Sequence, residues 1–238
     1  MERGRGAAHV PLRRVAMAEQ SVRVRAGAVT LDGDLTLPDG ARAIVLFAHG
    51  SGSSRLSPRN RHVAELLNEA GLATLLVDLL TPEEEMTDAR TARLRFDIRL
   101  LAQRLVEVTD WLRERAETRG LRVGYFGAST GAAAALVAAA IRPEAVGAIV
   151  SRGGRPDLAG RALSLVRAPT LLIVGGEDGV VIELNREALA ELRAEATLVI
   201  VPGATHLFEE PGALDEVARL AREWFERHLV ALRTRGAA

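Results

Sequence analysis

Apolar and polar positions alternate along 21–27, SVRVRAG, and again along 31–37, LDGDLTL. A period of two marks half-buried strands, and the two runs predict a hairpin joined around Thr30 to Gly33. From Ala43 the pattern changes to short, nearly unbroken apolar runs. They fall at 43–48 (AIVLFA), 73–79 (ATLLVDL), 122–128 (RVGYFGA), 147–151 (GAIVS), 170–176 (TLLIVGG) and 197–203 (TLVIVPG). Such runs read as parallel strands buried on both faces. Between them lie amphipathic stretches. The longest, 88–118, has apolar residues at Leu94, Ile98, Leu101, Leu105, Val108 and Leu112, a helical spacing. The last, 213–232, is also helical, whereas TPEEEMTD at 81–88 reads as a solvated loop.

A hairpin followed by repeated strand–helix units predicts the α/β class, with a doubly wound, mostly parallel sheet. No Pro-, Gly- or Ser-rich linker and no internal repeat divides the chain, so 21–238 reads as a single domain. The basic stretch 1–20 reads as a frayed tail, within which Met17 offers an alternative start. It lacks the apolar core of a secretory signal, and no run of about 18 apolar residues follows, so the expectation is a cytoplasmic protein without a membrane span.

Composition narrows the chemistry. The 238 residues include no cysteine, which excludes disulfides, thiolate metal sites and a cysteine nucleophile. They include no lysine either, since all 31 basic residues are arginine, so Schiff-base chemistry and a P-loop lysine are excluded too. The net charge is zero and there are only eight aromatics, which argues against nucleic-acid partners. No cofactor or metal is expected, and the oligomeric state is left open.

In doubly wound sheets, functional groups collect where strands end. At one such end stands GYFGASTGAAAAL, 124–136, in which Ser129 lies between two glycines, after an apolar run and before an alanine-rich helix pattern. A G-x-S-x-G sequence arises readily by chance, but the strand before it and the helix after it suit a sharp turn that exposes a hydroxyl. The competing reading is a serine that merely caps a helix. A nucleophilic serine needs a base and an orienting acid. Of the five histidines, His9 lies in the tail, His62 and His228 lie inside helical patterns, and His49 closes a strand beside a glycine. His206, in the loop GATHLFEEPG after the last strand, is the expected base. Asp178, after TLLIVGGE, is the expected acid, with Asp157 as its main rival and Glu177 turned away by alternation. The oxyanion donors are expected from the backbone N–H of Thr130 and, in the loop HGSGSSRLSPRN after the 43–48 strand, from Ser51.

At the mouth of the expected site, Arg152 and Arg155 in SRGGRPD are candidates for binding a substrate carboxylate, and His49 is a further candidate contact. Arg55, Arg59 and Arg61 crowd the 49–61 loop, where they can equally pin it to nearby acids. The short connection between the strands at 147–151 and 170–176 predicts a minimal lid and a small, soluble substrate.

Three other readings compete. AIVLFA running into GSGSS, with Asp78 ending the next strand, mimics a dinucleotide-binding unit, but Arg55 takes the place of the third glycine and Pro58 delays the helix. A relative of the same fold that binds a ligand or protein without catalysis, and an acyltransferase using the same three residues, remain open.

Taken together, HGSGSSRLSPRN, GYFGASTG, LLIVGGEDGVV and GATHLFEEPG resemble the α/β-hydrolase superfamily, and within it the dienelactone-hydrolase-like branch, from about Ser21 to the end of the chain. The resemblance implies an eight-stranded sheet, a Ser129–Asp178–His206 triad in the order usual for that fold, and hydrolysis of an ester, lactone or related small acyl compound without a cofactor. Dienelactone hydrolase itself uses a cysteine nucleophile, which this chain lacks, so the family name does not identify the substrate.

Overall fold

The computed structural model describes residues 19–231. The expected tail therefore lies outside the described residues, except for Glu19 and Gln20, which begin the first strand. The end of the last predicted helix, at 232, lies outside them as well. Eight strands form one sheet: β1 (Glu19–Ala26), β2 (Val29–Thr36), β3 (Ala43–Ala48), β4 (Ala73–Val77), β5 (Arg122–Ala128), β6 (Val146–Arg152), β7 (Thr170–Gly175) and β8 (Ala196–Val201). Their spatial order is β1-β2-β4-β3-β5-β6-β7-β8. β1 pairs antiparallel with β2, and β2 with β4, while every other pairing is parallel.

The predicted hairpin forms with its turn at Gly27–Ala28 rather than around 30–33. Gly27 takes φ +57°, where a side chain is strained, and that permits the tight reversal. Gly33, read as a turn residue, instead lies within β2 opposite Val22. A Cβ there would come within 3.1 Å of Leu75 and 3.2 Å of the Leu76 carbonyl, so close packing against β4 is what favours glycine.

The helices are α1 (Pro58–Glu69), α2 (Pro82–Thr91), α3 (Ile98–Glu114), α4 (Thr130–Ile141), α5 (Gly179–Glu191) and α6 (Ala213–Phe225). Side chains alternate across β3. Ile44, Leu46 and Ala48 pack into the layer shared with α3 and α4, while Ala43, Val45 and Phe47 pack into the layer shared with α1 and α6. The central strands are buried on both faces for that reason, as their unbroken apolar runs require.

Two readings need correction. The 81–88 stretch is no loop: it opens α2 through a reciprocal cap in which the Thr81 hydroxyl accepts from the Glu84 N–H and the Glu84 carboxylate accepts from the Thr81 N–H. The single helix expected over 88–118 is broken into α2, a short 3-10 turn at Leu94–Phe96, and α3. Ala92 in a left-handed conformation ends α2, and Asp97 starts α3 by accepting from the Leu100 N–H at 3.0 Å.

Candidate active site

β3 lies between β4 and β5, so the chain turns one way from it and then the other. At this switch point the loop after β3, which carries Gly50 and Ser51, meets the loop after β5, which carries Ser129. Ser129 adopts φ 50°, ψ −122° at the strand-to-helix turn, a conformation that costs a non-glycine residue about 1–3 kcal/mol. Its side chain makes no capping hydrogen bond to α4. A serine placed there to cap the helix would have used its hydroxyl. This one makes no such bond, so the capping reading of GYFGASTG does not hold.

The flanking glycines permit the turn through space rather than through unusual dihedrals. A Cβ on Gly127 would sit 2.4 Å from Ala132 Cα, and one on Gly131 would sit 2.2 Å from the Ala48 carbonyl oxygen. Backbone bonds then hold the bend. The Ser129 N–H donates to the Arg152 carbonyl at 3.3 Å, and the Ser129 carbonyl accepts from Ala132 and Arg155, both at 3.1 Å.

His206 and Asp178 meet as expected, with His206 Nδ1 2.6 Å from Asp178 Oδ2. A carboxylate there accepts the Nδ1 proton and leaves Nε2 as the basic nitrogen. Asp178 follows β7 at the start of α5 and is held by its N–H bond to the Gly175 carbonyl. The rival Asp157 is engaged elsewhere, accepting both ends of the Arg155 guanidinium at 2.9 and 2.8 Å. His206 is brought beside the serine turn by Gly153, whose missing Cβ would lie 3.5 Å from His206 Cε1. No hydrogen bond joins Ser129 Oγ to His206 among the described residues; catalytic pairs often close only around substrate.

The two expected oxyanion donors are adjacent. The Ser51 N–H donates to Thr130 Oγ1 at 2.9 Å. Gly50 packs against the candidate nucleophile, since a Cβ on it would lie 3.0 Å from Ser129 Cβ. His49 is buried, and backbone groups engage both its ring nitrogens: Nδ1 is 3.0 Å from the Gly50 carbonyl and Nε2 accepts from the Leu79 N–H at 3.0 Å. Burial pushes its pKa below the usual histidine value, against the Gly50 bond and the Asp78 charge. Its place is that of a loop former, with no nitrogen left over for a substrate.

Arg155, paired with Asp157, offers no free fork. Arg152 is not an exposed pair-mate but a buried side chain. Its Nη2 lies 3.5 Å from Asn60 Oδ1 and its guanidinium stands 5.9 Å from the centre of the Phe208 ring.

For Arg55 the structure agrees with the reading in which it pins its loop to nearby acids. Its backbone N–H donates to Asp78 Oδ1 at 2.7 Å, its guanidinium closes on Asp78 Oδ2, and its Nε lies 3.4 Å from Asp34 Oδ2. Burial opposes the charge on Arg55, and Asp78, with Asp34 and Asp32, more than offsets that, raising its pKa. The Ser51 loop is thereby pinned to β2 and to the end of β4. Asp78→Asn is expected to cost about 1–2 kcal/mol in urea unfolding and to slow turnover, because the loop that carries the Ser51 donor loosens. Unchanged unfolding midpoint and rate would show that the pair does not hold the loop. Asn185 was missed. It is fully buried and donates to the Gly154 carbonyl at 3.0 Å, tying α5 to the loop beside His206.

A cleft of about 550 Å³ borders the site through Gly50 and Ser51. It is lined by the serine-rich loop, by Leu80 and Leu101, and by Glu85, Asp88 and Arg95 on the α2 side. Burial, then the Asp78 charge, push the Glu85 carboxyl above its usual range. Between β6 and β7 the chain forms only short 3-10 turns within Pro156–Leu165, broken at Gly160, which agrees with the expected minimal lid. No helix among the described residues is long and apolar enough to cross a membrane.

Comparison with known proteins follows the same lines. The model of the dienelactone hydrolase family matches residues 31–235. A Mycobacterium tuberculosis protein named putative phosphoribosyl transferase is 60% identical over 223 residues, 94% of this chain but 48% of its own length. The chain thus spans about half the length of the curated relative it matches. The crystal structure of a dienelactone hydrolase from Anabaena variabilis is 65% identical, with a TM-score of 0.89, covering 90% of this chain and 99% of that one. An α/β serine hydrolase without a lid from Xanthomonas campestris shares the fold at 19% identity and a TM-score of 0.69, covering 90% and 96% of the two chains.

Proposed function

The chain belongs to the dienelactone hydrolase family, and from that premise we propose that it is a serine hydrolase that cleaves a small, soluble ester or lactone through an acyl-enzyme. The observation that carries this reading is the uncapped Ser129 hydroxyl on a strained turn, beside a His206 whose Nδ1 is held by Asp178. His206 Nε2 takes the proton as Ser129 Oγ attacks the carbonyl carbon. The oxyanion that forms is met by the N–H groups of Thr130 and Ser51, for which the Ser51 N–H turns from Thr130 Oγ1 to the substrate oxygen. As the intermediate collapses, His206 returns the proton to the leaving alcohol. Water, deprotonated by the same nitrogen, then releases the acid and restores the hydroxyl.

A short cover and a cleft of mixed polar and apolar lining support small substrates over long lipids. The phosphoribosyl transferase name belongs to a relative about twice as long, and the parts assembled in this chain are those of acyl transfer. Transfer of the acyl group to an alcohol or amine in place of water would use the same residues.

Asp178→Asn tests the arrangement. The amide would still reach His206 but favours the tautomer with its proton on Nε2, so kcat is expected to fall by about 10³–10⁴ with little change in KM. The measurement is steady-state hydrolysis of p-nitrophenyl acetate. A variant within a few-fold of wild type in kcat would remove Asp178 from the mechanism.

A further inference from the structure

The cleft beside Ser51 lies to one side of the candidate nucleophile. Its walls come from the loop after β3, from Leu80 after β4, and from α2, the 3-10 turn and α3 that follow. Among the described residues, none from the loops after β5, β6, β7 or β8 lines it. His206 stands on the other side, in the loop after β8 and against Gly153 after β6. The proton that His206 returns goes to the leaving oxygen, so the alcohol half of an ester has to lie beside His206. The acyl half, attached across the reacting carbon, is then directed away from His206, along the Ser51 loop and into the cleft.

Two polar groups of opposite kind face that cleft. Ala92, in a left-handed conformation, and the 3-10 turn at Leu94–Phe96 fold Arg95 back to Asp88. The buried Asp88 holds it there: Oδ2 accepts from Arg95 Nε, and the Asp88 carbonyl accepts from Nη2 at 3.2 Å. Arg95 Nη1 makes no hydrogen bond among the described residues. It lies 3.5 Å from the position that a Cβ on Gly52 would take, so it faces the Ser51 loop. Glu85, in the first turn of α2, lines the same cleft, and its carboxylate has no hydrogen bond or ion pair among the described residues.

The charges decide what these two groups suit. Asp88 and Arg95 cancel, and Arg59 at the opposite edge is drawn to Glu209 at 3.1 Å, so Glu85 leaves the wall negative. An acid group on the acyl chain would meet that charge. A neutral hydroxyl instead matches both groups, because it accepts from a guanidinium and donates to a carboxylate. Leu80 and Leu101, both buried, offer the aliphatic surface beside them.

We propose that the cleft is the acyl subsite and that it selects a short acyl chain carrying a neutral hydroxyl, with Arg95 and Glu85 setting that preference. This assignment rests on the acyl-enzyme reading, which by itself fixes neither the half of the ester that the cleft holds nor the group on that half.

Hydrolysis of four esters, followed by pH-stat, tests it. The better enantiomer of ethyl 3-hydroxybutyrate is expected to exceed ethyl butyrate in kcat/KM by about ten-fold, the effect of one hydrogen bond to a charged group. 2-Hydroxyethyl butyrate, with its hydroxyl on the alcohol, is expected to stay within about two-fold of ethyl butyrate. Ethyl hydrogen succinate is expected to fall below both. Glu85→Ala and Arg95→Met are each expected to bring the ten-fold ratio down to about three. A purely structural role would lower both rates together and leave the ratio unchanged. Glu85 is an exposed side chain without a partner, so its variant keeps the test decisive if Arg95→Met does not fold. Equal kcat/KM for the first two esters, an equal gain from the hydroxyl on the alcohol, a preference for the half-ester, or a ratio that the folded variants do not change overturns the subsite alone. No hydrolysis of these esters or of p-nitrophenyl acetate overturns the hydrolase reading and the subsite with it.

Discussion

Ser129→Ala is expected to lower the rate of p-nitrophenyl acetate hydrolysis by about 10⁴-fold or more while leaving the fold intact. The magnitude follows from what the substitution removes. In this account every bond change passes through Ser129 Oγ, whereas the oxyanion donors at Thr130 and Ser51 are backbone N–H groups that the variant keeps. The residual rate is what those donors and substrate binding supply without a nucleophile. Stability is not expected to fall, because the hydroxyl makes no capping bond that the variant would lose. Alanine at φ 50° carries the same backbone strain as serine. Steady-state rates beside a thermal melt check both halves. A variant that retained more than a tenth of the wild-type rate would remove Ser129 from the chemistry.

The second large effect is on folding. Gly131 lies in the first turn of α4, and its φ is not in the left-handed region. At an open helical position of that kind, Gly→Ala gains about 1 kcal/mol. Here the added Cβ would meet the Ala48 carbonyl oxygen at 2.2 Å and the His49 carbonyl oxygen at 2.5 Å, and both are backbone atoms with no rotamer to change. Steric cost therefore outweighs propensity. Gly131→Ala is expected to lose about 4 kcal/mol, a large part of a domain's total stability of about 5–15 kcal/mol. Chemical denaturation gives the number, or failure to recover soluble protein gives the limit. A stabilised variant would mean that β3 and α4 are further apart than described.

Much of the candidate site is legible in the sequence because its residues follow strand ends. Ser129 stands directly after an apolar run, and Asp178 and His206 stand two and three residues beyond theirs, so the ends of those runs point to all three. GASTG also carried its own constraint, since only residues without side chains fit between β3 and α4. The hairpin was legible as a hairpin, but the polar alternation of LDGDL placed its turn several residues late.

What was not legible had weak periodicity or partners distant in sequence. α2 buries a single residue, the polar Asp88, so it shows no apolar stripe. Its signal was the T-P-E-E start, with a capping threonine, proline in the first turn and glutamate three residues on. The break between α2 and α3 was masked because Leu94 keeps the helical spacing, while Asp88 reaches across the break to accept from the Leu94 N–H at 2.7 Å. Arg155 pairs with Asp157 two residues away, which left nothing over for a fork with Arg152. Arg152 faces α1 because of strand alternation across β6, and its contacts, Asn60 and Phe208, lie 92 residues earlier in the chain and in the His206 loop. No local pattern reports a neighbour of that kind. Similarly, the Arg55–Asp78 pair depends on β4 lying between β2 and β3, a feature of topology.

The central claim is a covalent acyl intermediate on Ser129, and rapid mixing with p-nitrophenyl acetate followed by acid quench tests it most directly. The expected result is a burst of about one nitrophenolate per chain, with one acetyl group found by peptide mass analysis on the segment that contains Ser129. The same treatment of Ser129→Ala is expected to give neither. Nitrophenolate released at the same slow rate by both proteins, or an acetyl group on a different residue, would contradict the account.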